Sequence, residues 1–228
     1  MTKNVIVSWS SGKDSALTLE RLLEDPAYQV VGLYTTYVAE EVPFQATPLD
    51  VLVQQAALTG LPLLKIALPT VFPSNDVYQS TIVTALKQSG WAIDAVAFGD
   101  MFCNGIEQYR RSYIEPAGWE CVFPLLGQDS RDLAQEILQR GIRTILVTID
   151  GEALPTELCG RWYNHELLAQ LPAGVDPCGE NGEFHTLVTE APCFSGQLQL
   201  TKLQVEQGPR FSYQRYTVRQ LPKSKERV

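Results

Sequence analysis

Six consecutive residues, Ser10-Ser11-Gly12-Lys13-Asp14-Ser15, put three hydroxyls, a glycine, a cation and a carboxylate into one short turn. The apolar run Val5-Ile6-Val7 before the turn reads as a buried strand, and Ala16, Leu17, Leu19, Leu22 and Leu23 after it recur at helical spacing. A strand–turn–helix junction of this kind aims backbone N–H groups and the helix N-terminus at one anion-sized hollow. Lys13 adds a positive charge there, and the serines add donors. The plainer alternative is an ordinary Ser/Gly turn with Asp14 or Ser15 as the helix cap. A strand before and a helix after favour the anion site. The turn is not a Walker A loop: no glycine lies five residues before Gly12, and Asp14 follows the lysine where Ser or Thr is required. Chemistry other than γ-phosphate transfer is expected.

Asp100 falls at the carboxyl end of the strand-like run Ala95-Val96-Ala97-Phe98-Gly99, where open α/β sheets bind ligands. It can cap a helix, hold Mg2+, or position a ribose or a substrate group. Arg110 is either a surface partner for Glu107 or part of the same site. Farther along, Gly174, Gly179 and Gly182 loosen a segment in which Glu180 and Glu183 bring two carboxylates to a loop-to-strand junction. Composition alone reads this as a solvated acidic turn. Such carboxylates can also orient a cationic substrate, activate ammonia or share a metal. His185 beside them is a proton carrier or merely a strand side chain. Cys178 has no resolving cysteine nearby in sequence, which argues against covalent catalysis.

The elements that must position these residues alternate along the chain. Strand-like runs at residues 3–9, 29–36, 62–68 and 95–99 are separated by helical patterns after Gly12, from Thr47 to a stop at Gly60, at 75–88 and at 104–115. In the second of these helices Thr47 is the expected N-cap, with Pro48 in the first turn. The alternation implies an α/β, Rossmann-like parallel sheet with helices on both faces. A short strand at 120–125, a helix at 131–140 and a β-branched strand at 143–149 follow, and the rhythm then fades. A helix near 161–170, a loop at 174–182 and a β-rich stretch at 183–221 complete a smaller α+β part. The expected division is 1–123 and 124–228, ending in a frayed, solvated tail from Lys223.

The first loop resembles the Ser-Gly-Gly-Lys-Asp-Ser loop of the PP-loop, or N-type, ATP pyrophosphatases. Gly99-Asp100, Tyr109-Arg110, Phe123-Pro124-Leu125, Gly160-Arg161 and above all Asp176-Pro-Cys-Gly-Glu-Asn-Gly-Glu-Phe-His-Thr186 are similar, in order, to the marks of the diphthine–ammonia ligase family in its bacterial-looking branch. The resemblance implies a HUP-type fold of the adenine nucleotide alpha hydrolase-like superfamily, with residues 1–123 as the ATP-binding domain and 124–228 as the substrate-binding domain. It implies a reaction in which ATP adenylates a carboxylate with loss of pyrophosphate and ammonia then displaces AMP, with Mg2+ accompanying ATP. By the same pattern Ser10, Ser11, Gly12, Lys13, Asp14, Ser15, Tyr34, Thr35 and Gly99 bind the nucleotide. Arg110, Arg161, Glu180, Asn181, Gly182, Glu183 and His185 face the substrate. Lys13, Asp14, Asp100, Glu180 and Glu183 carry catalysis, with Asp100 as the Mg2+ ligand. The chain departs from the pattern at three places. Ser11 replaces the first loop glycine, so its backbone is expected to avoid conformations only glycine tolerates. Phe44-Gln45 stands where Met-His is usual, and Asn164 where an aspartate is common after Gly-Arg.

The bulk numbers narrow the alternatives. The chain has 228 residues, 45% of them apolar, which is ample for a packed core. Its net charge of −8 argues against a general phosphate-backbone binder. No apolar run approaches the roughly 20 residues of a membrane span, and no signal peptide is evident, so a cytoplasmic protein is expected. Five cysteines without a Cys-x-x-Cys pair read as reduced thiols, and two histidines give no zinc pattern. The expected partners are ammonia and a small-molecule or protein-borne carboxylate. A homodimer is compatible with the sequence. Two other readings remain open: ATP-driven thiolation or other modification of a nucleic-acid base, which the missing cysteine pair disfavours, and a nucleotide-sensing module without turnover, which the downstream acidic motif disfavours.

Overall fold

The computed structural model describes residues 1–43, 45–102 and 104–223. Phe44 of the Phe44-Gln45 departure, Cys103 and the tail beyond Lys223 lie outside the described residues. The first part runs β1 (Lys3–Ser8), α1 (Lys13–Glu24), β2 (Tyr28–Tyr37), the two-residue strands β3 (Glu41–Val42) and β4 (Thr47–Pro48), α2 (Leu49–Thr59), β5 (Leu63–Ala67), α3 (Asn75–Gln88), β6 (Ala95–Ala97), α4 (Ile106–Ile114) and β7 (Glu120–Val122). Five of these strands form a parallel sheet in the order β5-β2-β1-β6-β7.

Alternation along β1 explains why the sheet is covered twice. Val5 and Val7 join an apolar cluster with Leu17 and Leu19 of α1 and Leu52 of α2, whereas Ile6 faces Ile82 and Leu86 of α3 and Tyr113 of α4. Each such buried aliphatic side chain contributes roughly 1.5–3 kcal/mol. The chain leaves β1 toward β2 and β5 on one side and reaches β6 and β7 on the other. The strand order therefore reverses at β1/β6, and a crevice opens beyond the carboxyl ends of these two strands.

The remainder comprises α5 (Ser130–Gln139), β8 (Arg143–Asp150), α6 (His165–Gln170), β9 (Phe184–Glu190), β10 (Gly196–Gln207) and β11 (Phe211–Pro222). Its strands form an antiparallel sheet in the order β10-β11-β8-β9. Leu133 of α5, Leu146 of β8 and Phe184 of β9 belong to the same apolar cluster as Leu17 and Leu52, so this sheet shares its core with one face of the first. The fold is thus α/β with a smaller α+β part.

Three boundaries differ from the sequence reading. Thr47 does not cap a helix: it pairs with Val42 in β4, and α2 starts at Leu49 behind Pro48. The helix expected from residue 104 begins at Ile106, because Gly105 adopts φ 94°. The helix expected from 161 shortens to His165–Gln170, since Trp162 bridges to Ile145 of β8 and the Asn164 side chain accepts a hydrogen bond from Leu167 N at 2.8 Å, fixing the helix start.

Candidate functional site

The turn after β1 is held from outside as much as from within. Ser11 has φ 75°, a left-handed conformation that costs a residue with a Cβ, which corrects the expectation that its backbone would avoid glycine-like geometry. What holds it is tertiary. The fully buried Ser11 hydroxyl contacts Gln45 Oε1 at 3.0 Å and Thr47 Oγ1 at 3.2 Å, and its carbonyl accepts from Gln55 Nε2 and Val188 N, both at 3.0 Å. The Ser11 side chain is therefore turned into the fold. Ser10 and Ser15 pair through their hydroxyls at 3.3 Å, and the Ser15 hydroxyl donates to Gly12 O at 2.9 Å.

Lys13 and Asp14 open α1. Lys13 is only 2% exposed; its ammonium lies 2.9 Å from Asp14 Oδ2, donates to the carbonyl of Cys178, and sits over the rings of Phe184 and Tyr163 at 5.4 and 5.9 Å. Burial is the largest influence and works against its charge, but Asp14, Cys178 and Glu180 together outweigh it, so the ammonium titrates above its ordinary value. Burial raises the Asp14 carboxyl in turn, with Lys13 opposing. The second Asp14 oxygen, Oδ1, is buried without a hydrogen-bond partner among the described residues.

The glycine- and glutamate-rich segment before β9 folds over this turn. Lys13 N donates to Thr186 Oγ1 at 3.1 Å, and a Cβ on Gly12 would come within 3.3 Å of Thr186. The result is a hollow of about 150 Å³ lined by Gly12, Lys13, Asp14, Glu180, Gly182 and His185 among others. The two glutamates differ in what holds them. Glu183 is buried, and its carboxylate accepts from Asp176 N, Asn181 N and the Asn181 side-chain amide at 2.9–3.0 Å. Among the described residues Glu180 Oε2 accepts only from Met101 N, at 3.3 Å, and burial together with the Asp14 charge pushes this carboxyl up to about 7. Burial, reinforced by Lys13, lowers His185 to about 4, so its imidazole is neutral near pH 7.

Residues 129–218 match the family model of the diphthamide synthase C-terminal domain. The acidic segment, His185 and Thr186 all fall inside the match. No curated protein matches the chain. Among solved structures, it is similar to a predicted subunit of a tRNA methyltransferase from Methanocaldococcus jannaschii, with 16% identity, 83% of this chain and 99% of the other covered, and a TM-score of 0.41. It is also similar to the U34-tRNA thiolase NcsA from Methanococcus maripaludis with its 4Fe-4S cluster, at 18% identity over 60% of this chain and 56% of the other, with a TM-score of 0.39. Neither overlap is close enough to transfer an activity.

Asp100 and Arg110 meet beside the hollow, beyond β6. Arg110 Nε donates to Asp100 Oδ2 at 3.1 Å, and its guanidinium stacks 4.7 Å above the Phe98 ring. Burial opposes the Arg110 charge, but Asp100 and the surrounding tyrosines hold it well above its ordinary value. A second cavity of about 490 Å³, lined by Asp100, Phe102, Tyr109 and Glu180, adjoins the first through Glu180. Gly99 has a steric role: a Cβ there would lie 3.1 Å from the Asp14 carbonyl, so glycine lets α1 pack against the end of β6. Tyr34 and Thr35 are buried strand residues at the end of β2, and Tyr34 packs with Ile6 and Phe98 on the α3/α4 side. Arg161 is not drawn into the hollow, since its side chain is 42% exposed and its guanidinium pairs with Glu166 at 3.2 Å.

Four supporting residues were given no role in the sequence reading, although Asp176 and Thr186 bound its family-like motif. Asp176 Oδ1 accepts from Cys178 N at 2.8 Å and Glu180 N at 3.3 Å, shaping the acidic turn. Thr186 occupies the Lys13 amide, and Tyr163 donates to Pro177 O at 2.7 Å beneath the lysine. Gln55 ties Trp9, Ser11 and Val188 together from within α2. The signal available in the sequence was a glutamine falling at helical spacing on the apolar stripe of Leu52 and Ala56. Cys178 carries no reactive thiolate: burial pushes its thiol up to about 12, and Sγ rests 3.2 Å from Ser130 O. The four described cysteines are all free thiols. No helix among the described residues is long and apolar enough to cross a membrane.

The donor set decides what kind of metal site fits here. Among the described residues no group of three or more His, Cys, Asp or Glu side chains is arranged to hold an ion. A protein-only cage is therefore absent from these residues. Mg2+ needs no such cage, since it is commonly held by one or two carboxylates together with substrate phosphates. Asp14, with its unpartnered Oδ1, meets that requirement, and Asp100 and Glu180 border the adjoining cavity.

Proposed function

We propose that the protein is an ATP-dependent amide ligase that adenylates a carboxylate, releases pyrophosphate, and transfers ammonia or an amine with release of AMP. One observation carries the reading. The Ser10–Ser15 turn at the N-terminus of α1 and the acidic segment inside the family-matched region close a single hollow, with Lys13, Asp14 and Glu180 on its wall.

In that hollow the α1 N-terminus and Lys13 offset the charge of a pyrophosphate leaving group while an acceptor carboxylate oxygen attacks the α-phosphorus. Asp14, Asp100, Asp176, Glu180 and Glu183 outnumber Lys13 and Arg110, so phosphates enter this region only with a cation to balance them. Mg2+, held by Asp14 or Asp100 alongside phosphate oxygens, would supply that charge. In the second half, ammonia attacks the acyl carbon, the bond to AMP breaks, and the nitrogen must lose a proton. Glu180, poised to ionise near 7, is suited to take it. The high thiol value of Cys178 speaks against the thiolation alternative.

The reading is tested by incubating the protein with labelled ATP, Mg2+, ammonium and a pool of metabolites, against Lys13→Ala. AMP and pyrophosphate formed by the wild type and lost in the variant are expected. ADP and phosphate would overturn the reaction class, and ATP bound without turnover across broad pools would leave a nucleotide-binding module.

A further inference from the structure

Three amides of the turn after β1 are already engaged. Ser10 N and Gly12 N lie 3.4 Å from the hydroxyls of Ser15 and Ser10, and Lys13 N donates to Thr186 at 3.1 Å. The Lys13 ammonium is divided between Asp14 and the Cys178 carbonyl. One side-chain donor on the wall of the hollow is not taken. Gln45 lines the hollow, and the Ser11 hydroxyl donates to its Oε1 at 3.0 Å. With the oxygen held there, the NH2 group occupies the other arm of the amide and makes no hydrogen bond among the described residues.

Backbone strain marks the same contact. Among the described residues only Ser11, Ala39 and Ala46 carry a side chain at positive φ, and Ser11 at 75° and Ala46 at 48° stand at its two ends. Strain of this kind persists where the surroundings over-determine it, and it clusters at ligand clamps. The surroundings here are explicit. Thr148 Oγ1 donates to Gln45 O at 3.0 Å, while the fully buried Thr47 pairs with Val42 and lies 3.2 Å from the Ser11 hydroxyl. Gln45 is thus pinned through its backbone and through its side-chain oxygen. Ser11 and Gln45 are also two of the positions at which the chain departs from the pattern it resembles, and in the fold they touch.

The chemistry of the free arm limits what it can bind. An NH2 group donates and cannot accept, so its partner is an acceptor oxygen. Gln45 shares the hollow with Gly12 and Lys13, at the end of α1 that favours anions. A cation in its place would be neutralised by Asp14 or Glu180, which line the same hollow, whereas the uncharged amide is bound to neither. At about 150 Å³ the space takes the phosphate end of a nucleotide and not the whole of it.

We infer that Gln45 binds phosphate in the hollow: its side-chain NH2 donates to an oxygen of the pyrophosphate portion, and the Ser11 hydroxyl sets the orientation of its amide. The inference rests on the ligase reading for placing a pyrophosphate there, but it is tested by binding alone. Mg2+-ATP and Mg2+-pyrophosphate are titrated calorimetrically into the full chain, into Gln45→Ala, into Ser11→Gly and into the double variant, each checked for folding by its melting curve. Both ligands should bind about ten-fold more weakly to Gln45→Ala. Ser11→Gly should lose a similar factor and the double variant no more than either, since the two residues act as one unit. A merely structural role would not move the side-chain amide protons of Gln45, identified in a 15N spectrum by their absence from Gln45→Ala. They should shift downfield as pyrophosphate saturates the wild type. Unmoved amide protons, unchanged affinity in Gln45→Ala, or losses that add in the double variant would each overturn the inference. Gln45-dependent pyrophosphate binding in a protein that makes no AMP would leave it standing and remove the ligase reading. AMP formation with wild-type ATP affinity in Gln45→Ala would do the reverse, and a wild type that binds neither ligand would remove both.

Discussion

Lys13 and Asp14 are adjacent in sequence and partners in space: Nζ lies 2.9 Å from Oδ2, and the same ammonium reaches the Cys178 carbonyl across 165 residues of chain. The pair thus locks the family-matched segment onto the first helix. Its lysine end is almost fully buried and its aspartate end 24% exposed. Removing the cation alone strands a carboxylate in a poorly solvated place. Lys13→Met is expected to destabilise the protein by roughly 3 kcal/mol. Adding Asp14→Asn should restore part of that loss. A double-mutant cycle in urea measures the coupling, and additive single effects would show that the two groups do not act together.

The hollow's two shifted groups give opposite pH slopes. Glu180 ionises near 7 when folded against 4.5 unfolded, so the folded chain keeps its proton longer, and this group's contribution to stability falls as pH rises between those values. His185 titrates near 4 when folded against 6.5 unfolded, so the unfolded chain gains the proton first, and stability falls as pH drops through that window. Between about pH 4.5 and 6.5 the two offset each other, each worth at most roughly 3 kcal/mol. Glu180→Gln should therefore expose a loss of stability on acidification that the wild type masks, and His185→Asn the opposite slope. Stability curves of the three proteins from pH 4.5 to 6.5 check this; parallel curves would show that neither group is shifted. Where AMP formation is measurable, its acid-limb pKa near 7, below which the base is protonated, should also vanish in Glu180→Gln.

Ser11 supplies a cleaner test of backbone strain. At φ 75° a serine is held against its preference by contacts to Gln45, Thr47, Gln55 and Val188. Ser11→Ala keeps the strain and discards the hydroxyl contacts, at a cost of about 1–2 kcal/mol. Ser11→Gly loses the same contacts but relieves roughly 1 kcal/mol of left-handed strain. Glycine should thus be the better replacement, although it removes more side chain. Chemical denaturation ranks the two variants, and alanine equal to or above glycine would mean that this backbone is unstrained.

Local pattern carried the alternating strands and helices into view, because period-two and helical spacings are written in neighbouring residues such as Val5-Ile6-Val7 and Ala16–Leu23. The junction after β1 was legible for the same reason. The geometry of Ser11 was not, since its partners Gln45 and Thr47 lie 34 and 36 residues away and act only once β3 and β4 have paired. Arg161 shows the converse. Its place in a motif is visible in sequence, but its carbonyl accepts from Leu146 N and its side chain turns to Glu166. The division of labour between Glu180 and Glu183 was equally hidden, because it depends on which carboxylate the turn's own amides consume.

That division can be tested at Glu183. Its carboxylate is surrounded by three donors, Asp176 N, Asn181 N and Asn181 Nδ2, all within the turn that presents Glu180. Glu183→Gln exchanges one acceptor oxygen for an NH2 group, which sets donor against donor at Asp176 or Asn181 and leaves a buried amide unsatisfied, at about 1–3 kcal/mol. The turn should loosen locally around Asn181, while Asp176 Oδ1, the Lys13 ammonium and the Tyr163 hydroxyl still hold its first half. Faster hydrogen exchange is expected at the amides of residues 176–183, with the amides of β1 and α1 unchanged. ATP binding should survive while carboxylate-dependent AMP formation falls, since the phosphate-facing turn stays intact and Glu180 loses its support. Unchanged exchange in the turn would show that Glu183 does not hold it, and turnover at the wild-type rate would remove this segment from the acceptor side of the reaction.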